Sequence, residues 1–473
     1  MLILAAGLLG FLPSSFNIDS WLGLVTGREI WQSGLPHHEV LTSMSHGITW
    51  VDQQWLAQLA MYGIYLLGGL GLVGLVNMVL IVSAVVGAVV GARKLGASPQ
   101  AVLWVLPVCL WLIIPSHEVR TQEFAMPLFV ATAYLLATDS RAPSRCVYWC
   151  FPILLLWGNL HGSVTLGAVL VALRGVTVAW ERRNLLLHSA RHWRRPLVLV
   201  LGAALCPLVT PYGVGIIAYY HTMLLGSSVM TNVSEWQPVT SVAKEAVPFF
   251  VAAAIALWLF GRNPSRTTLW EKLAVLVLIA AGIDVIRNLL FFGLFALMVM
   301  PVALAWGEHS EGKAAAPGRG PINAALAVIA VAAVVFMSAV TLIRPAATIE
   351  LSFQRTGVLT AVERATRADP PIKVLADVRF ADWLLWRDPG LSGRIANDAR
   401  WELLTPAQMN GLQALFSVVG PNWKQAARGY RLIVLDTKHD PASAQAFSSE
   451  PGSRVLYRDG ERIVILRSAR AAA

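Results

Sequence analysis

Apolar residues occur in long runs along this chain, and polar residues collect in the gaps between them. A helix that crosses the ~30 Å hydrocarbon core of a bilayer needs ~20 mostly apolar residues. Runs of this kind, several at the short end, cover 1–14, 68–92, 97–116, 122–138, 146–158, 163–180, 196–210, 246–261, 269–286, 289–306 and 322–343. They predict a multi-pass α-helical membrane protein of about eleven spans. The run 1–14 lacks a basic leader and a small-residue cleavage signal, so it is expected to be a retained first span.

After the last run the pattern changes. Helical periodicity over 356–368, 380–387, 406–428 and 441–448 alternates with an apolar run at 372–377 and strand-like stretches at 393–397, 431–436, 454–458 and 462–467. This alternation predicts a small α/β domain over 350–468, behind a membrane domain over 1–343. The stretch 307–320, rich in Gly and Ala, reads as a flexible linker.

The gaps between apolar runs differ in kind. Every second one is merely basic: Arg93-Lys94, Arg141 with Arg145, and Arg182-Arg183 through Arg194-Arg195. The alternate gaps carry varied chemistry: Asp19, His37, His38 and Glu39; then Glu118, Arg120 and Gln122; then Asn159 and His161; then Tyr212, His221, Glu235 and Trp236. Lys and Arg concentrate in cytoplasmic loops, and that rule decides how to read 56–92. As one helix this stretch would run to ~55 Å, too long for the bilayer. One span preceded by an interfacial helix 54–67, with Trp55 and Tyr62 at headgroup depth, puts the basic gaps on one side. Arg28, Arg120, Lys244 and Arg287 then remain on the other. The expectation is a plasma-membrane protein with a cytoplasmic N-terminus, a first external loop 15–55 and an extracytoplasmic tail.

Composition narrows the class. Hydrophobic residues are 56% and charged residues 14%, against about a quarter charged in soluble domains. The net charge of +10 invites a nucleic-acid reading, but the excess lies beside apolar runs and no basic-aromatic module accompanies it. Cys109, Cys146, Cys150 and Cys206 all sit in or beside apolar runs, without the spacing of a zinc site.

Several polar residues have two readings. Asp19 stands just past the first run, where low-dielectric surroundings raise a carboxylate's basicity; alternatively Asp19 or Ser20 caps an amphipathic helix 20–32. Arg28 either binds an anionic headgroup or is a solvated interfacial residue. His37-His38-Glu39 are metal-ligand types, but neighbours in an extended loop face opposite sides, so His38 or Glu39 fits a substrate contact better. Arg120, beside Gln122, can fork onto phosphate oxygens or snorkel to the interface. Asn159 and His161 interrupt an apolar region, where polar groups either serve a ligand or bond a neighbouring helix. Tyr212 and Trp236, with Glu235, suit a sugar ring and also suit an interface belt. Arg287 either pairs with Asp284 at i,i+3 spacing or shares a phosphate site with Arg120. In the tail, Asp377, Arg379, Asp382, Asn397, Asp398 and Arg400 end or follow apolar stretches, where α/β domains place ligand contacts.

Several of these segments together resemble the GT-C superfamily of polytopic glycosyltransferases, in particular a prokaryotic group within it. They are Asp19-Ser-Trp21 through Thr26-Gly27-Arg28, Gly34-x-Pro36, Trp50 with Trp55-Leu56, Arg120-x-Gln122, Asn159-Leu-His161-Gly162, Pro211-Tyr212-Gly213, Glu235-Trp236 and Asp398-x-Arg400. The resemblance implies transfer of a sugar from a polyprenyl-phosphate donor to a glycan, lipid or protein acceptor on the outer face of a cell envelope. It also implies an acidic base in the first external loop, a position Asp19 matches, and inversion by single displacement. Many members carry a second acid beside the first, where this chain has Ser20, and no DxD-like pair follows; an obligatory divalent metal is therefore not implied. Competing readings are a transporter or lipid flippase and a non-enzymatic envelope assembly protein. A transporter predicts ionisable groups at mid-membrane and related halves, and this sequence shows neither.

Overall fold

The computed structural model describes residues 15–114, 118–186, 190–225, 234–304, 319–350 and 356–472. The expected first span 1–14 and most of the linker 307–320 lie outside these residues. The chain divides into two compact units. One, the helical unit, comprises Met1–Ser15, Gly71–Ile217 and Val233–Ile343; the other, the mixed unit, comprises Phe16–Leu70, Ala218–Asn232 and Arg344–Ala473. This partition differs from the expected division into 1–343 and 350–468, because the first loop groups with the tail.

In the helical unit the apolar runs are helices: Pro99–Ile113, Ala125–Arg141, Cys150–Leu160, Val164–Glu181, Arg194–Leu205, Ala243–Arg262, Leu269–Asp284, Leu289–Leu304 and Arg319–Ile343. Among the described residues, four helical segments are long and apolar enough to cross a membrane: Trp55–Lys94, Val164–Glu181, Ala243–Arg262 and Ile286–Leu304. Helix Leu289–Leu304 is apolar all round, and Leu289 to Ala303 are all buried, as befits a central helix. The outer helices expose large apolar side chains, among them Trp104, Trp111, Val176, Trp180, Leu201 and Trp258, the pattern of a surface that faces lipid. Helices Val164–Glu181 and Arg194–Leu205 pack so closely that a Cβ on Gly175 would lie 2.9 Å from the Pro196 carbonyl oxygen.

The basic gaps are less free than the charge rule assumed. Arg174 is fully buried, and its Nε donates to Asp139 Oδ2 at 2.9 Å while Nη1 reaches Glu181 at 3.1 Å. Arg195 pairs with the same Asp139, and Arg141 forks onto Glu271 at 3.0 Å. These arginines tie helix ends together.

The helical run Trp55–Lys94 is broken at Gly68 and Gly69, the latter at φ 66°, a left-handed value that glycine adopts without steric cost. The break falls at the end of the expected interfacial helix 54–67. Tyr62 is not a headgroup anchor: it is buried, with Tyr65 stacked beside it and the edge of Trp386 against it.

The tail of the mixed unit holds four strands, β1 (Val374–Ala376), β2 (Leu432–Asp436), β3 (Arg454–Arg458) and β4 (Arg462–Leu466), in the order β1-β2-β4-β3. β1 and β2 are parallel, with Val374 opposite Leu432; β2–β4 and β3–β4 are antiparallel. Leu375, Ile433, Leu435, Phe447, Ile463 and Ile465 form its core. Two tail elements depart from expectation. Residues 393–397 make only isolated bridges, Ile395 pairing with Val374 and with Thr42 of the first loop. The helix expected over 406–428 ends at Ser417, where Val418 turns left-handed at φ 53°, and resumes as a short turn Trp423–Ala427.

Candidate functional site

In the helical unit, three short turns bring charged residues together. Arg120 stands in extended backbone just before the turn Thr121–Phe124. Arg287 lies in the turn Ile286–Asn288, between helices Leu269–Asp284 and Leu289–Leu304. Ser234–Trp236 forms the third, and the Ile286 N–H donates to Gln237 O at 3.1 Å, which fixes that turn against Arg287. Arg120 pairs with both Glu118 and Glu235. Arg287 Nε donates to Gln122 Oε1 at 2.9 Å, lies 3.7 Å from Glu235 Oε2, and its guanidinium sits 5.7 Å from the Trp236 ring centre. Burial works against the Glu235 charge, but Arg287 and Arg120 outweigh it and hold the carboxyl below its usual range. Arg120, Gln122, Glu235 and Arg287 line a pocket of about 380 Å³ whose apolar wall includes Leu289 and Leu290. Arg287 pairs with Gln122 and Glu235 rather than with the exposed Asp284, so of its two readings the i,i+3 pair gives way.

His161 sits at the break between helices Cys150–Leu160 and Val164–Glu181 and is 5% exposed. The Ser163 N–H donates to its Nδ1 at 3.2 Å, so Nδ1 is an acceptor and the ring proton is on Nε2. Burial first, then the nearby positive charges of Arg287 and Arg120, hold its pKa well below the usual value. His161 is thus a neutral donor within electrostatic reach of both arginines. Asn159 belongs to the scaffold instead: its amide donates to Leu155 O at 2.9 Å and Val209 O at 3.0 Å, binding the end of helix Cys150–Leu160 to the stretch that follows helix Arg194–Leu205. Tyr212 lies in the turn ending at Gly213, φ 54°, and does not line the pocket.

The mixed unit carries the remaining candidates. Asp19 lies in the first turn of helix Ile18–Ser33, where a negative charge complements the helix dipole. The cap is neither Asp19 nor Ser20 but Asn17, whose side chain accepts from Ser20 N at 3.1 Å while Ser20 Oγ accepts from Asn17 N at 2.9 Å. Arg28 is half-buried, and its guanidinium donates to Leu385 O at 2.7 Å and Trp386 O at 2.9 Å, ending the tail helix Val378–Arg387. Glu39 is fully buried and structural. Its Oε1 accepts from Leu41 N at 2.6 Å and Thr42 N at 2.7 Å, and its other oxygen pairs with Arg400. Arg400 also takes Asp398, through Nε at 2.9 Å, and lies 4.3 Å from the Trp50 ring centre. His38 is exposed on a bridge to Thr49. Asp382 is 1% exposed, and burial, with Asp398 next to it, raises its pKa well above the usual carboxylate range; Asp19 adds to the rise. The motifs Gly27-Arg28 and Asp398-x-Arg400 are therefore fastenings between the first loop and the tail. Sequence reading missed Asp139 and Glu271 as partners of the basic gaps, because each lies at an apolar helix end with no pattern of its own.

Among the described residues, no group of three or more His, Cys, Asp or Glu is placed to hold a metal ion. No protein-family model matches the chain, and no curated protein matches it by sequence. Solved structures do. ArnT from Cupriavidus metallidurans bound to undecaprenyl phosphate aligns with TM-score 0.54 and 13% identity, over 100% of this chain and 97% of that one. Its apo state aligns with TM-score 0.53 and 14% identity over the same shares. The oligosaccharyltransferase AglB from Archaeoglobus fulgidus, in complex with an inhibitory peptide and a dolichol-phosphate, aligns with TM-score 0.55 and 11% identity, over 92% of this chain and 69% of that one. At such identity the likeness establishes the fold alone: the chain shares the architecture of these solved structures.

Proposed function

We propose that this chain is a membrane glycosyltransferase that moves a sugar from a polyprenyl-phosphate-linked donor to an acceptor hydroxyl at the outer face of the plasma membrane. The observation that carries the reading is the pairing of Arg120 and Arg287 about one carboxylate, Glu235, beside a neutral His161. A departing lipid phosphate needs cations and donors placed where its charge develops, and two guanidiniums with an imidazole N–H offer that set. The fold neighbours captured with undecaprenyl phosphate and dolichol-phosphate support the donor class.

In this scheme Asp19 takes the proton from the acceptor hydroxyl, whose oxygen attacks the anomeric carbon as the phosphate leaves with the bonding pair. The single displacement inverts that carbon. Arg120 and Arg287 hold the phosphate, Gln122 orients Arg287, His161 donates to a phosphate oxygen, and Trp236 flanks the sugar.

The test uses the full chain in lipid nanodiscs with a labelled polyprenyl-phosphate sugar, together with lipid-linked sugar profiles of cells with and without the gene. Accumulation of the donor on deletion, and a fall of roughly 10²-fold or more in polyprenyl phosphate release for Arg120→Ala or Arg287→Ala, are expected. Unchanged lipid-linked pools with full release by both variants would overturn the reading. Full complementation by Asp19→Asn would remove Asp19 as base.

A further inference from the structure

The tail carries a second cavity that the proposed reaction does not use. It measures about 620 Å³, within the range of small-ligand sites, and lies wholly in the mixed unit between helix Pro406–Ser417 and the turn Trp423–Ala427. Its polar lining is nearly all amide: Gln408, Asn410, Asn422 and Gln425, with Arg428 as the single charged group and no carboxylate. Trp423 and Tyr430 supply aromatic surface.

That chemistry selects a ligand class. Side-chain amides offer donors and acceptors together, which matches hydroxyl groups that both give and take hydrogen bonds. Aromatic faces match the apolar C–H faces of a ring. One arginine is too little for a polyphosphate, and a lining without carboxylates offers nothing to a cation. Asn410, Asn422 and Gln425 are exposed, so their amides remain open to a ligand.

Two further features single the cavity out. Next in the chain to its lining residue Val419 stands Val418, the one non-glycine residue at positive φ among the described residues. A β-branched side chain there is sterically strained, and such strain collects at ligand clamps. Its floor is built from the first loop: Tyr430 OH lies 2.8 Å from Ser43 Oγ, and Gln408 Nε2 donates to Met44 O at 2.9 Å. The cavity therefore rests on the loop whose leading helix carries Asp19.

We infer that this cavity is a binding site for a neutral oligosaccharide, docking the acceptor glycan on the tail. The assignment as acceptor rests on the transferase reading; the binding itself does not. Saturation-transfer NMR on the full chain in nanodiscs, without donor, tests it with cellotriose, maltotriose, chitotriose and mannotriose as probes. At least one is expected to receive saturation and to titrate. Asn410→Ala combined with Gln425→Ala, both at exposed positions that leave the core packing intact, should raise its Kd about tenfold or more, as should Trp423→Ala. No saturation of any probe at 10 mM overturns the site, as does binding that the double variant leaves unchanged. Displacement of the sugar by an unstructured peptide at lower concentration overturns the ligand class. Glycan binding by a chain that releases no polyprenyl phosphate would fail the transferase reading alone.

Discussion

Replacing Arg400 by Met tests how the first loop is fastened to the tail. Arg400 is 4% exposed and serves two buried carboxylates, Asp398 and Glu39. Removing one partner from a buried ion pair costs about 3–5 kcal/mol, because the other charge stays behind. Here the stranded groups keep some support: Glu39 retains the Leu41 and Thr42 N–H donors, and Asp398 retains the backbone N–H of residue 400 at 2.9 Å. That places the loss near the lower end, about 3 kcal/mol. For a unit of this size the melting temperature should fall by roughly 6–12 °C. Hydrogen exchange gives the local readout. The amides of Ser43, Met44 and Gly393, bonded to Ile395 O, Ala396 O and Leu41 O at 2.7, 3.0 and 2.8 Å, should exchange faster, while those in helix Leu289–Leu304 should not. Adding Glu39→Gln removes one stranded charge and should recover part of the loss, a coupling of roughly 0.5–3 kcal/mol. An unchanged melting temperature with unchanged protection of those three amides would refute the fastening.

Other outcomes follow from the same physics. Burial lifts the Asp52 carboxyl to about 7, above its ordinary value, so the folded state holds that proton more tightly than the unfolded chain does. The stability it contributes is full below about pH 4 and is lost as pH rises through about 7. Protection factors around 50–58, exchange taken relative to the intrinsic rate at each pH, should therefore fall from pH 5.5 to 8, and Asp52→Asn should abolish that fall. Arg174→Met takes one of two arginines from the buried Asp139, which keeps Arg195, and should cost about 3 kcal/mol, the lower end for a buried pair, read as a lower melting temperature in detergent. Gly27→Ala puts a Cβ 2.1 Å from Gln58 O and should cost roughly 1–3 kcal/mol, with faster exchange in helix Ile18–Ser33.

Helix positions were the most legible part of the fold, because a lipid-facing helix writes its length directly into an apolar run. The tail was legible where side chains set the pattern: helix Pro441–Ser448 and strands β2 to β4 fall where their periodicity put them. It was not legible where backbone geometry decides. Residues 393–397 look like a strand, yet Ile395 pairs by single bridges to both Val374 and Thr42, a long-range choice that no local pattern encodes. Helical periodicity ran through 406–428 because the apolar spacing continues past the left-handed Val418 that ends the helix. The grouping of Phe16–Leu70 with the tail was hidden for the same reason: Arg28 bonds carbonyls 357 and 358 residues away.

The site shows the same division between chemistry and placement. Arg120 and Arg287 stood out in sequence because a cation at the end of an apolar run is costly unless it pairs or snorkels. Their partners did not stand out. Asp284 was the nearer acid by sequence, and helix geometry allowed the pair, but helix Leu269–Asp284 ends at Asp284 and Arg287 lies in the turn beyond. The i,i+3 rule holds only while both residues share one helix. Once the helix stops, Arg287 takes its direction from the turn, and the Ile286-to-Gln237 bond sets that turn beside Glu235. Arg120 meets the same Glu235 from 115 residues away. The carboxylate that draws two cations onto one pocket was thus visible as a residue but not as a partner. Its position depends on where two turns meet, and chain folding alone supplies that.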